Sequence, residues 1–378
     1  MGQRAGRQAQ PGVPLTRETL QRANRIVIKA GTRTILDDNQ RPDLVTLGRL
    51  FGEMMSLKKA GKEVIFVSSG AIATGLQPLG LSKRPGSIPS LQAAAAVGQS
   101  LLMQIYNDLL SPFGCSVAQL LLTHDDFQHR SRYLNLRNLL TSLEGKNVLP
   151  IINENDTVAV DEIKFGDNDI LSGFVANAVD AEVTVLLSDV DGFFLNGVLL
   201  KEVEEVTPAL EMAAGGTAGF GRGGMVSKIR CARMVTAAGG WLVLVHGKKV
   251  TVYEALAVQA GTVFRPMGTR LDRRKRWIAH TLKAVGSVTV DAGGAKALTH
   301  NGRSLLAVGV TACEGGFDVG DPVVVRDPSG AEIAKGLVNY AAADLRRILG
   351  RRTDEIPGIL GCHSFEEIIH RNNLVLLN

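Results

Sequence analysis

The chain has 378 residues, a formal net charge of +5 and an apolar fraction of 45%. This length predicts two domains, or one large domain with a smaller module, and it allows a sizeable core without disulfides or structural metals. The small positive charge favours anionic ligands such as nucleotides, but it does not indicate nucleic-acid binding. The four cysteines form no Cys-x-x-Cys pair, which argues against a zinc knuckle and predicts a reducing, cytoplasmic location.

The first twenty residues are polar and basic and contain no continuous apolar segment. We therefore expect a loose N-terminal tail over residues 1–20 and no signal peptide. No apolar run approaches the roughly 18 residues that a transmembrane helix needs, so no membrane association is expected.

Strand and helix patterns alternate from the first apolar segment to about residue 265. This alternation predicts an α/β fold in three layers, with a mostly parallel sheet covered by helices on both faces. In such sheets, ligands bind beyond the carboxyl ends of the strands. The predicted strands are 25–29, 63–67, 117–122, 148–152, 183–187 and 241–245, and the predicted helices are 44–59, 90–110, 133–143 and 225–238.

The pattern changes after about residue 280, where short apolar runs alternate with glycines and Asp-Pro-Ser-Gly at 327–330 indicates a hairpin turn. We expect a small β-rich domain here. A charged run at 270–277 is interpreted as a solvated linker, with a nucleic-acid-binding patch as the alternative. The predicted organisation is a tail at 1–20, an α/β domain at 21–267, a basic linker at 268–280, a β-rich domain at 281–365 and a C-terminal tail at 366–378.

Two lysines are candidates for anion binding. Lys29 ends the first predicted strand, directly before a glycine-containing turn. A buried ammonium is costly unless an anion meets it, so Lys29 either binds a phosphate or extends to solvent at the rim of the sheet. Lys228 ends the glycine-rich segment 215–228, which leads into a helix and suits a phosphate. This segment is not a Walker A loop, and a flexible surface loop is the alternative.

Two polar clusters, Asn-Glu-Asn-Asp at 153–156 and Asp-Asn-Asp at 167–169, flank a segment with the composition of a hairpin. Acidic and amide side chains at strand ends can bind an amine, position lysines or contact Mg²⁺. Asn and Asp are also common in turns, which is the alternative interpretation. Ser-Ser-Gly-Ala at 68–71 follows a strand but lacks the context of a nucleophile elbow, so we expect a hydrogen-bonding loop.

In chain order, eight motifs resemble those of the bacterial glutamate 5-kinases. The similarity extends from about residue 24 to the C-terminus, and residues from about 284 to 360 resemble a PUA domain. The motifs are KAGT from Lys29, SSGAI from Ser68, AAVGQ from Ala95, LLT from Leu121, INEND from Ile152, GDND from Gly166, SD from Ser188 and GRGGMVSK from Gly221.

This resemblance implies an amino-acid-kinase fold with a C-terminal PUA domain, and ATP and Mg²⁺ as cofactors. It implies phosphorylation of the side-chain carboxylate of L-glutamate to L-glutamyl 5-phosphate, the first step of proline biosynthesis. It also implies a homo-oligomer, either dimer or tetramer, with proline as feedback inhibitor and channelling of the product to glutamyl-phosphate reductase. RNA is not expected as a partner, because residues 284–345 mix both signs of charge.

The resemblance also assigns roles to residues. Lys29 and Lys228 neutralise the transferring phosphoryl group, and Asp169 holds both lysines. No residue of the chain is expected to ligate a metal. Arg222 departs from the family pattern, which usually has a small hydroxyl residue at this position. Glutamate is expected to contact Ser69, Asp156 and Asn168, with Asn153 nearby. The nucleotide is expected to contact Lys29, Ser188, Asp189, Arg222, Gly223, Gly224, Met225, Val226, Ser227 and Lys228.

The implied chemistry agrees with the residues available. A carboxylate acceptor is already ionised at neutral pH, so the transfer needs positioning and charge neutralisation but no general base. Two other functions stay open. One is another acyl-phosphate-forming amino-acid kinase, acting on acetylglutamate or aspartate. The other is an RNA-binding protein that uses its PUA-like domain and carries a vestigial kinase domain.

Overall fold

The computed structural model describes residues 18–128, 130–158, 168–214, 222–267, 284–299, 302–361 and 365–377. The chain divides into two compact units, Met1–Met267 and Gly268–Asn378. In the described residues, no helix combines the length and the apolar character that a membrane crossing requires. Most of the predicted N-terminal tail, most of the hairpin between the polar clusters, the glycine-rich residues 215–221 and the basic linker lie outside the described residues.

The first unit contains an eight-stranded sheet in the order β3-β4-β2-β1-β5-β9-β10-β8 and a two-stranded sheet of β6 and β7. The strands are β1 Arg25–Ala30, β2 Glu63–Val67, β3 Ser116–Leu122, β4 Val148–Glu154, β5 Val183–Ser188, β6 Phe194–Leu195, β7 Val198–Leu199, β8 Glu202–Val203, β9 Trp241–His246 and β10 Thr262–Phe264.

Strand β1 lies between β2 and β5 and runs parallel to both. After β1 the chain forms β2, β3 and β4 on one side, and it then starts the other side with β5. The strand order therefore reverses next to β1, and in open α/β sheets ligands bind at the carboxyl ends of the strands at such a point. The predicted, mostly parallel sheet is confirmed, with β10 antiparallel to β9.

Helices cover both faces of the sheet. They are α1 Glu18–Arg22, α2 Thr32–Ile35, α3 Leu44–Lys59, α4 Ala71–Leu76, α5 Ile88–Leu110, α6 His124–Gln128, α7 Arg130–Leu143, α8 Asn168–Ala178, α9 Pro208–Ala214, α10 Arg222–Ala238 and α11 Val252–Leu256.

Alternation along β1 determines which face Lys29 meets. Ile26 and Ile28 belong to the core on one face of the sheet, and Val27 belongs to the core on the other face with Leu171 of α8 and Ile229 of α10. Because side chains two residues apart on a strand share a face, Lys29 lies on the same side as Val27. The lysine therefore meets the face that α8 and α10 cover.

Helices α4 and α5 pack backbone against backbone at two glycines. A Cβ atom added to Gly75 would lie 1.9 Å from the carbonyl oxygen of Ala94, and one added to Gly98 would lie 1.8 Å from that of Ala71. No side chain fits at either position. The contact fixes the start of α4, which follows the loop after β2, against the middle of α5.

The second unit contains a five-stranded sheet in the order β12-β11-β13-β14-β15. The predicted turn at 327–330 joins the antiparallel strands β13 and β14, where Oδ1 of Asp327 accepts from the backbone N–H of Ser329 at 2.9 Å. The elements are β11 Gly286–Val290, α12 Ala292–Thr299, β12 Val310–Gly315, β13 Pro322–Arg326, β14 Glu332–Leu337, α13 Ala342–Ile348, α14 Ile356–Leu360 and β15 Leu374–Leu376.

The structure corrects two sequence-based expectations about the chain ends. Residues 366–378 are not a tail, because Ile368 and Ile369 are fully buried and β15 pairs with β14. Short apolar runs at a chain end can complete a sheet edge, and here the run contributes Leu374 to the core. Helix α1 begins inside the predicted N-terminal tail and buries Leu20 completely.

Candidate active site

One buried carboxylate joins the two candidate phosphate-binding lysines. Nζ of Lys29 lies 2.5 Å from Oδ1 of Asp169, and Nζ of Lys228 donates to Oδ2 of Asp169 at 2.9 Å. The three residues come from the carboxyl end of β1, the first turn of α8 and the second turn of α10. The side chains of Lys29 and Asp169 are only 8% and 3% exposed, so solvent screens this ion pair poorly.

This cluster carries excess positive charge, because two ammonium groups surround one carboxylate and leave a net charge of +1. Burial raises the pKa of Asp169, but the ammonium groups of Lys29 and Lys228 outweigh burial and lower it to about 2. Asp169 therefore stays ionised across the neutral range. A buried positive charge that is not fully compensated favours an incoming anion.

The first turn of α10 lies directly beside this cluster. Nζ of Lys228 donates to the carbonyl oxygen of Gly224 at 3.0 Å, and Oγ of Ser227 donates to the same oxygen at 2.9 Å. Oγ of Ser227 also lies 3.3 Å from Oδ2 of Asp169. The lysine is thus folded back along its own helix toward the helix N-terminus, where free backbone N–H groups suit a phosphate.

The structure places the other predicted nucleotide residues of this segment at the same helix start. The backbone of Arg222 and Gly223 opens α10, Gly224 is exposed, and Met225 and Val226 are half-buried. Met225 packs against the core that α8 and α10 share. The preceding glycine-rich residues 215–221 lie outside the described residues.

Polar side chains form a continuous hydrogen-bonded chain at the carboxyl ends of β2 and β4. Nδ2 of Asn153 donates to Oε1 of Gln99 at 2.8 Å, and Nδ2 of Asn168 donates to Oδ1 of Asn153 at 2.9 Å. Nδ2 of Asn168 also donates to Oγ of Ser69 at 3.1 Å. The structure thus brings together Ser69, Asn153 and Asn168. It adds Gln99, the last residue of the AAVGQ motif, which was not predicted as a site residue.

Within this hydrogen-bonded series of side chains, two atoms are buried and have no hydrogen-bond partner among the described residues. They are Nε2 of Gln99 and Oδ1 of Asn168. Leaving a buried polar atom unpaired costs about 1–3 kcal/mol, so such atoms in a site call for a functional explanation. Asn168 is partly exposed. Its oxygen is an acceptor that a small movement on ligand binding could pair.

Asp156 lies in the loop after β4, three residues beyond Asn153. In the part of the chain that the structure describes, its carboxylate makes no hydrogen bond or ion pair. Burial raises the pKa of Asp156 to about 6, and the charge of Arg84 lowers it only in part. A desolvated carboxylate of this kind is stabilised by a bound cation, so Asp156 suits an ammonium group.

Ser188 is the last residue of β5, the strand that pairs with β1 on the side opposite β2, and Asp189 follows it. Oγ of Ser188 donates to Oδ1 of Asp189 at 3.1 Å, and Nη1 of Arg33 lies 2.5 Å from Oδ2 of Asp189. Burial raises the pKa of Asp189, but the hydrogen bond from Arg33 and other donors bring it below its usual value. Arg33 is 80% exposed and was not predicted as a site residue, although it follows Lys29 in the KAGTR sequence.

The described site therefore has two neighbouring parts, the buried cationic cluster and the hydrogen-bonded side chains of Gln99, Asn153, Asn168 and Ser69, which we call the amide pocket. Asp156 lies in the loop that follows Asn153. A cationic cluster can stabilise a phosphoryl group in transfer, and the amide pocket can hold a small zwitterion. Among the described residues, no group of three His, Cys, Asp or Glu side chains could hold a metal ion.

The chain matches the amino acid kinase family over residues 24–247, which contain both parts of this site, and the PUA domain over residues 286–360. The parallel sheet, the cationic cluster at the carboxyl end of β1 and this match define the class, and the chain belongs to the amino acid kinase family.

Two curated relatives narrow the assignment. The glutamate 5-kinase of Moorella thermoacetica is 45% identical over 371 residues, which span 96% of this chain and 98% of that protein. The glutamate 5-kinase of Geobacter sulfurreducens is 45% identical over 368 residues, spanning 95% of this chain and 99% of that protein. The chain therefore belongs to the glutamate 5-kinase family. A solved carbamate kinase structure from Giardia aligns with 65% of this chain and 99% of its own at 19% identity and a TM-score of 0.47, which adds nothing to this assignment.

Proposed function

We propose that this protein transfers the γ-phosphoryl group of ATP to the side-chain carboxylate of L-glutamate, which gives L-glutamyl 5-phosphate and ADP. This is the first step of proline biosynthesis. The observation that carries the proposal is the buried cluster of Lys29, Asp169 and Lys228, with its excess positive charge at the end of the central strand. The names of the curated relatives support glutamate as the acceptor.

In the proposed step, a carboxylate oxygen of glutamate forms a bond to the γ-phosphorus. The bond between that phosphorus and the bridging oxygen breaks, and its electron pair leaves with ADP. A glutamate side chain has an ordinary pKa of about 4.3, so it is ionised at neutral pH and no proton has to move. Asp169, with a pKa of about 2, is a poor base, which fits a site that positions charge and does not abstract a proton.

The two lysines have the same electrostatic role in this proposal. Lys29 approaches the transferring group from the sheet and Lys228 from α10, and Asp169 sets the distance between them. Fixed cations in a site shielded from water stabilise developing negative charge without reorganisation. Mg²⁺ bound to the ATP phosphates would neutralise further charge. Phosphate oxygens are its expected ligands, because both oxygens of Asp169 already face ammonium groups.

The amide pocket supplies acceptor recognition. Asp156 and Oδ1 of Asn168 are acceptors without partners among the described residues, and they suit the α-ammonium of glutamate. Oγ of Ser69 accepts from Asn168, which leaves its O–H free to donate to a carboxylate of the substrate. Oδ1 of Asn153 accepts from Nδ2 of Asn168 and so fixes the orientation of the Asn168 amide.

We propose that the nucleotide binds across the ends of β5 and α10. Ser188 and Asp189 supply polar contacts at one side, and residues Arg222–Lys228 supply the helix N-terminus at the other. Arg33 is an additional contact, because its exposed guanidinium is held at this edge by Asp189.

We propose that proline inhibits the enzyme at the amide pocket, because proline carries an α-ammonium and a carboxylate as glutamate does. From the resemblance we also propose a homo-oligomer, either dimer or tetramer, channelling of the labile acyl phosphate to glutamyl-phosphate reductase, and a cytoplasmic location. The three described cysteines, Cys115, Cys231 and Cys313, are not in disulfide bonds, which is compatible with a reducing compartment.

The test is acceptor-dependent ADP release by the purified protein with ATP and Mg²⁺. We expect release with L-glutamate, suppression of that release by proline, and much lower rates with N-acetylglutamate, which has no ammonium, and with aspartate. Equal or higher rates with either alternative acceptor would favour another kinase of the same family. No acceptor-dependent release from a folded protein would contradict the proposed function.

A further inference from the structure

We propose that Gln99 is a positioning residue for the acceptor pocket. Its side-chain oxygen fixes the orientation of Asn153 and, through it, that of Asn168, so that the pocket selects an acceptor with an α-ammonium. This inference rests on the proposed function, since it concerns the pocket assigned to glutamate. Gln99 is only 8% exposed and lies on α5, outside the polar clusters at 153–156 and 167–169.

The orientation of Asn153 is anchored by the main chain. The backbone N–H of Glu154 donates to Oδ1 of Asn153 at 2.9 Å, and a backbone donor cannot exchange roles with an acceptor. Nδ2 of Asn153 therefore points the other way, and it needs an acceptor there because Asn153 is 1% exposed. Oε1 of Gln99 is that acceptor, at 2.8 Å.

Gln99 supplies this acceptor, but its own amide nitrogen is left without a partner in the described part of the chain. With Oε1 turned toward Asn153, Nε2 of Gln99 is buried and without a hydrogen-bond partner among the described residues. Rotating the amide would place two N–H₂ groups against each other, so the unpaired nitrogen follows from the orientation of Asn153. An apolar side chain would move this cost to Nδ2 of Asn153, so one buried polar atom in the described residues stays unpaired in either case. What the oxygen of Gln99 adds is therefore a fixed orientation of Asn153.

The orientation passes from Asn153 to Asn168 and then to the pocket. Oδ1 of Asn153 accepts from Nδ2 of Asn168, and the same nitrogen donates to Oγ of Ser69. Both hydrogens of Nδ2 are thereby used, and Oδ1 of Asn168 is left as an acceptor suited to an ammonium. Reversal of the Asn168 amide would present a donor to the ammonium instead.

Gln99 is held rigidly enough for this role. The neighbouring Gly98 contacts the backbone of Ala71 so closely that an added Cβ would lie 1.8 Å from the carbonyl oxygen. Ala71 follows the loop that carries Ser69. The backbone positions of Ser69 and Gln99, the two ends of the hydrogen-bonded series, are therefore fixed relative to each other. What remains adjustable is the direction in which each amide group points, and Gln99 sets that direction.

The experiment compares the wild type with Gln99→Leu, Gln99→Glu and Gln104→Leu. Leu removes the acceptor, while Glu keeps an oxygen at the same place, and burial favours its neutral, protonated form. Gln104 is an exposed glutamine of the same helix and serves as the matched control. Each protein is assayed for kcat, for the KM of glutamate and of ATP, for its kcat/KM preference for glutamate over glutarate, which has no ammonium, and for its melting temperature.

For Gln99→Leu we expect the glutamate KM to rise about tenfold or more, the size of losing one hydrogen bond to a charged group. The preference over glutarate should fall by a similar factor, and the ATP KM should stay within about twofold of the wild type. The melting temperature should change little, because the variant removes the unpaired Nε2 and leaves Nδ2 of Asn153 unpaired in its place. Gln99→Glu should recover most of the preference, and Gln104→Leu should match the wild type.

A Gln99→Leu variant with unchanged glutamate preference would overturn the inference. So would a parallel loss of melting temperature, kcat and both KM values, since that pattern marks a purely structural residue. A wild type that phosphorylates glutamate poorly but glutarate or aspartate well would overturn the proposed function itself, and the inference with it.

Discussion

The ammonium groups of Lys29 and Lys228 lie against different oxygens of the same carboxylate, at 2.5 and 2.9 Å from Asp169. The two lysines come from opposite ends of the catalytic unit in sequence, and this shared partner sets their separation. Losing one lysine still leaves the carboxylate neutralised by the other. Losing the carboxylate leaves two cations facing each other, so the two kinds of substitution should have different effects.

Lys29→Ala and Lys228→Ala should each lower kcat by about 100-fold or more, the usual effect of removing one charge-stabilising contact from a transition state. The fold should survive, because the remaining lysine still pairs with Asp169. Steady-state ADP release at saturating glutamate and ATP measures the effect, with Lys59→Ala, an exposed lysine of α3, as control. Near-normal turnover in either variant would show that the lysine has another role.

Asp169→Asn should lower the free energy of unfolding by about 3–5 kcal/mol at pH 7, because it leaves two buried ammonium groups without a counter-charge. Urea unfolding measures the loss. The folded-state pKa of Asp169 lies below its ordinary value of 3.8, at about 2. The stabilisation from its ionised form is therefore complete above the unfolded pKa and is lost as the pH falls toward 2.

The matched control for that experiment is Asp191→Asn, since Asp191 forms an exposed ion pair with Lys249 at 3.1 Å. An exposed pair contributes at most about 1 kcal/mol. If the two variants lose the same stability, or if the loss for Asp169→Asn is confined to alkaline pH, the assigned charge coupling is wrong.

Asp156 should make glutamate affinity pH-dependent. Its pKa in the free enzyme is raised to about 6, so the carboxylate becomes protonated as the pH falls below that value and loses its attraction for the α-ammonium. The glutamate KM should therefore rise about tenfold for each pH unit below 6, while the ATP KM changes little. In Asp156→Asn the glutamate KM should be high at every pH and this dependence should disappear.

The same substitution should stabilise the folded protein at neutral pH. A carboxylate whose folded-state pKa is raised destabilises the fold above that pKa, and the penalty vanishes below the unfolded value of 3.8. Asp156→Asn should thus raise the melting temperature at pH 7.5 more than at pH 4.5. A variant with lower stability and an unchanged glutamate KM would place the ammonium site elsewhere.

Gly75→Ala and Gly98→Ala should each destabilise the protein by more than about 3 kcal/mol, the upper end of the usual range for single substitutions. An added Cβ at either position would lie within 2 Å of a backbone oxygen, so the two helices would have to separate. Gly48→Ala and Gly52→Ala on α3 are the controls, because nothing lies within 4 Å of an added Cβ there. These should be neutral or stabilising by about 0.5–1 kcal/mol, as alanine is the better helix former. Equal effects at all four positions, measured by urea unfolding, would refute the contact.

A protein that ends at Met267 should still phosphorylate glutamate, because all described residues of the candidate site precede the second unit. ADP release is the measurement, and circular dichroism must first show that the shortened chain is folded. Proline inhibition is compared between the shortened and the full-length protein, because the PUA domain is expected to have a regulatory role. A folded but inactive shortened chain would mean that the second unit completes the site.

The elements with strong periodicity could be predicted from the sequence. The pattern predicts helix α3 and strand β2, and both have the predicted bounds. Helix α8 is not predicted, although Leu171, Phe174 and Val175 repeat at helical spacing, because its start is interpreted as part of a polar turn cluster. Its first residues have the composition of a turn.

The motifs predicted that Asp169 would hold Lys29 and Lys228, and these three residues are in contact. They did not predict the hydrogen bonds among the amide side chains. The role of Gln99 depends on the approach of α4 to α5, which no local window of sequence contains. Arg33 escapes prediction for a similar reason, since its partner Asp189 lies on a loop after a different strand. Long-range packing decides both contacts, and periodicity reports only on local structure.

The backbone contact at Gly75 and Gly98 also limits how the acceptor specificity of this enzyme could be evolved in the laboratory. Ser69 and Gln99 lie within two residues of this main-chain contact, so the backbone on that side of the pocket cannot move outward without breaking it. A dicarboxylate longer by one methylene would need its space from the loop after β4, around Asp156. Selection for such an acceptor should therefore accumulate substitutions in that loop and leave both glycines unchanged.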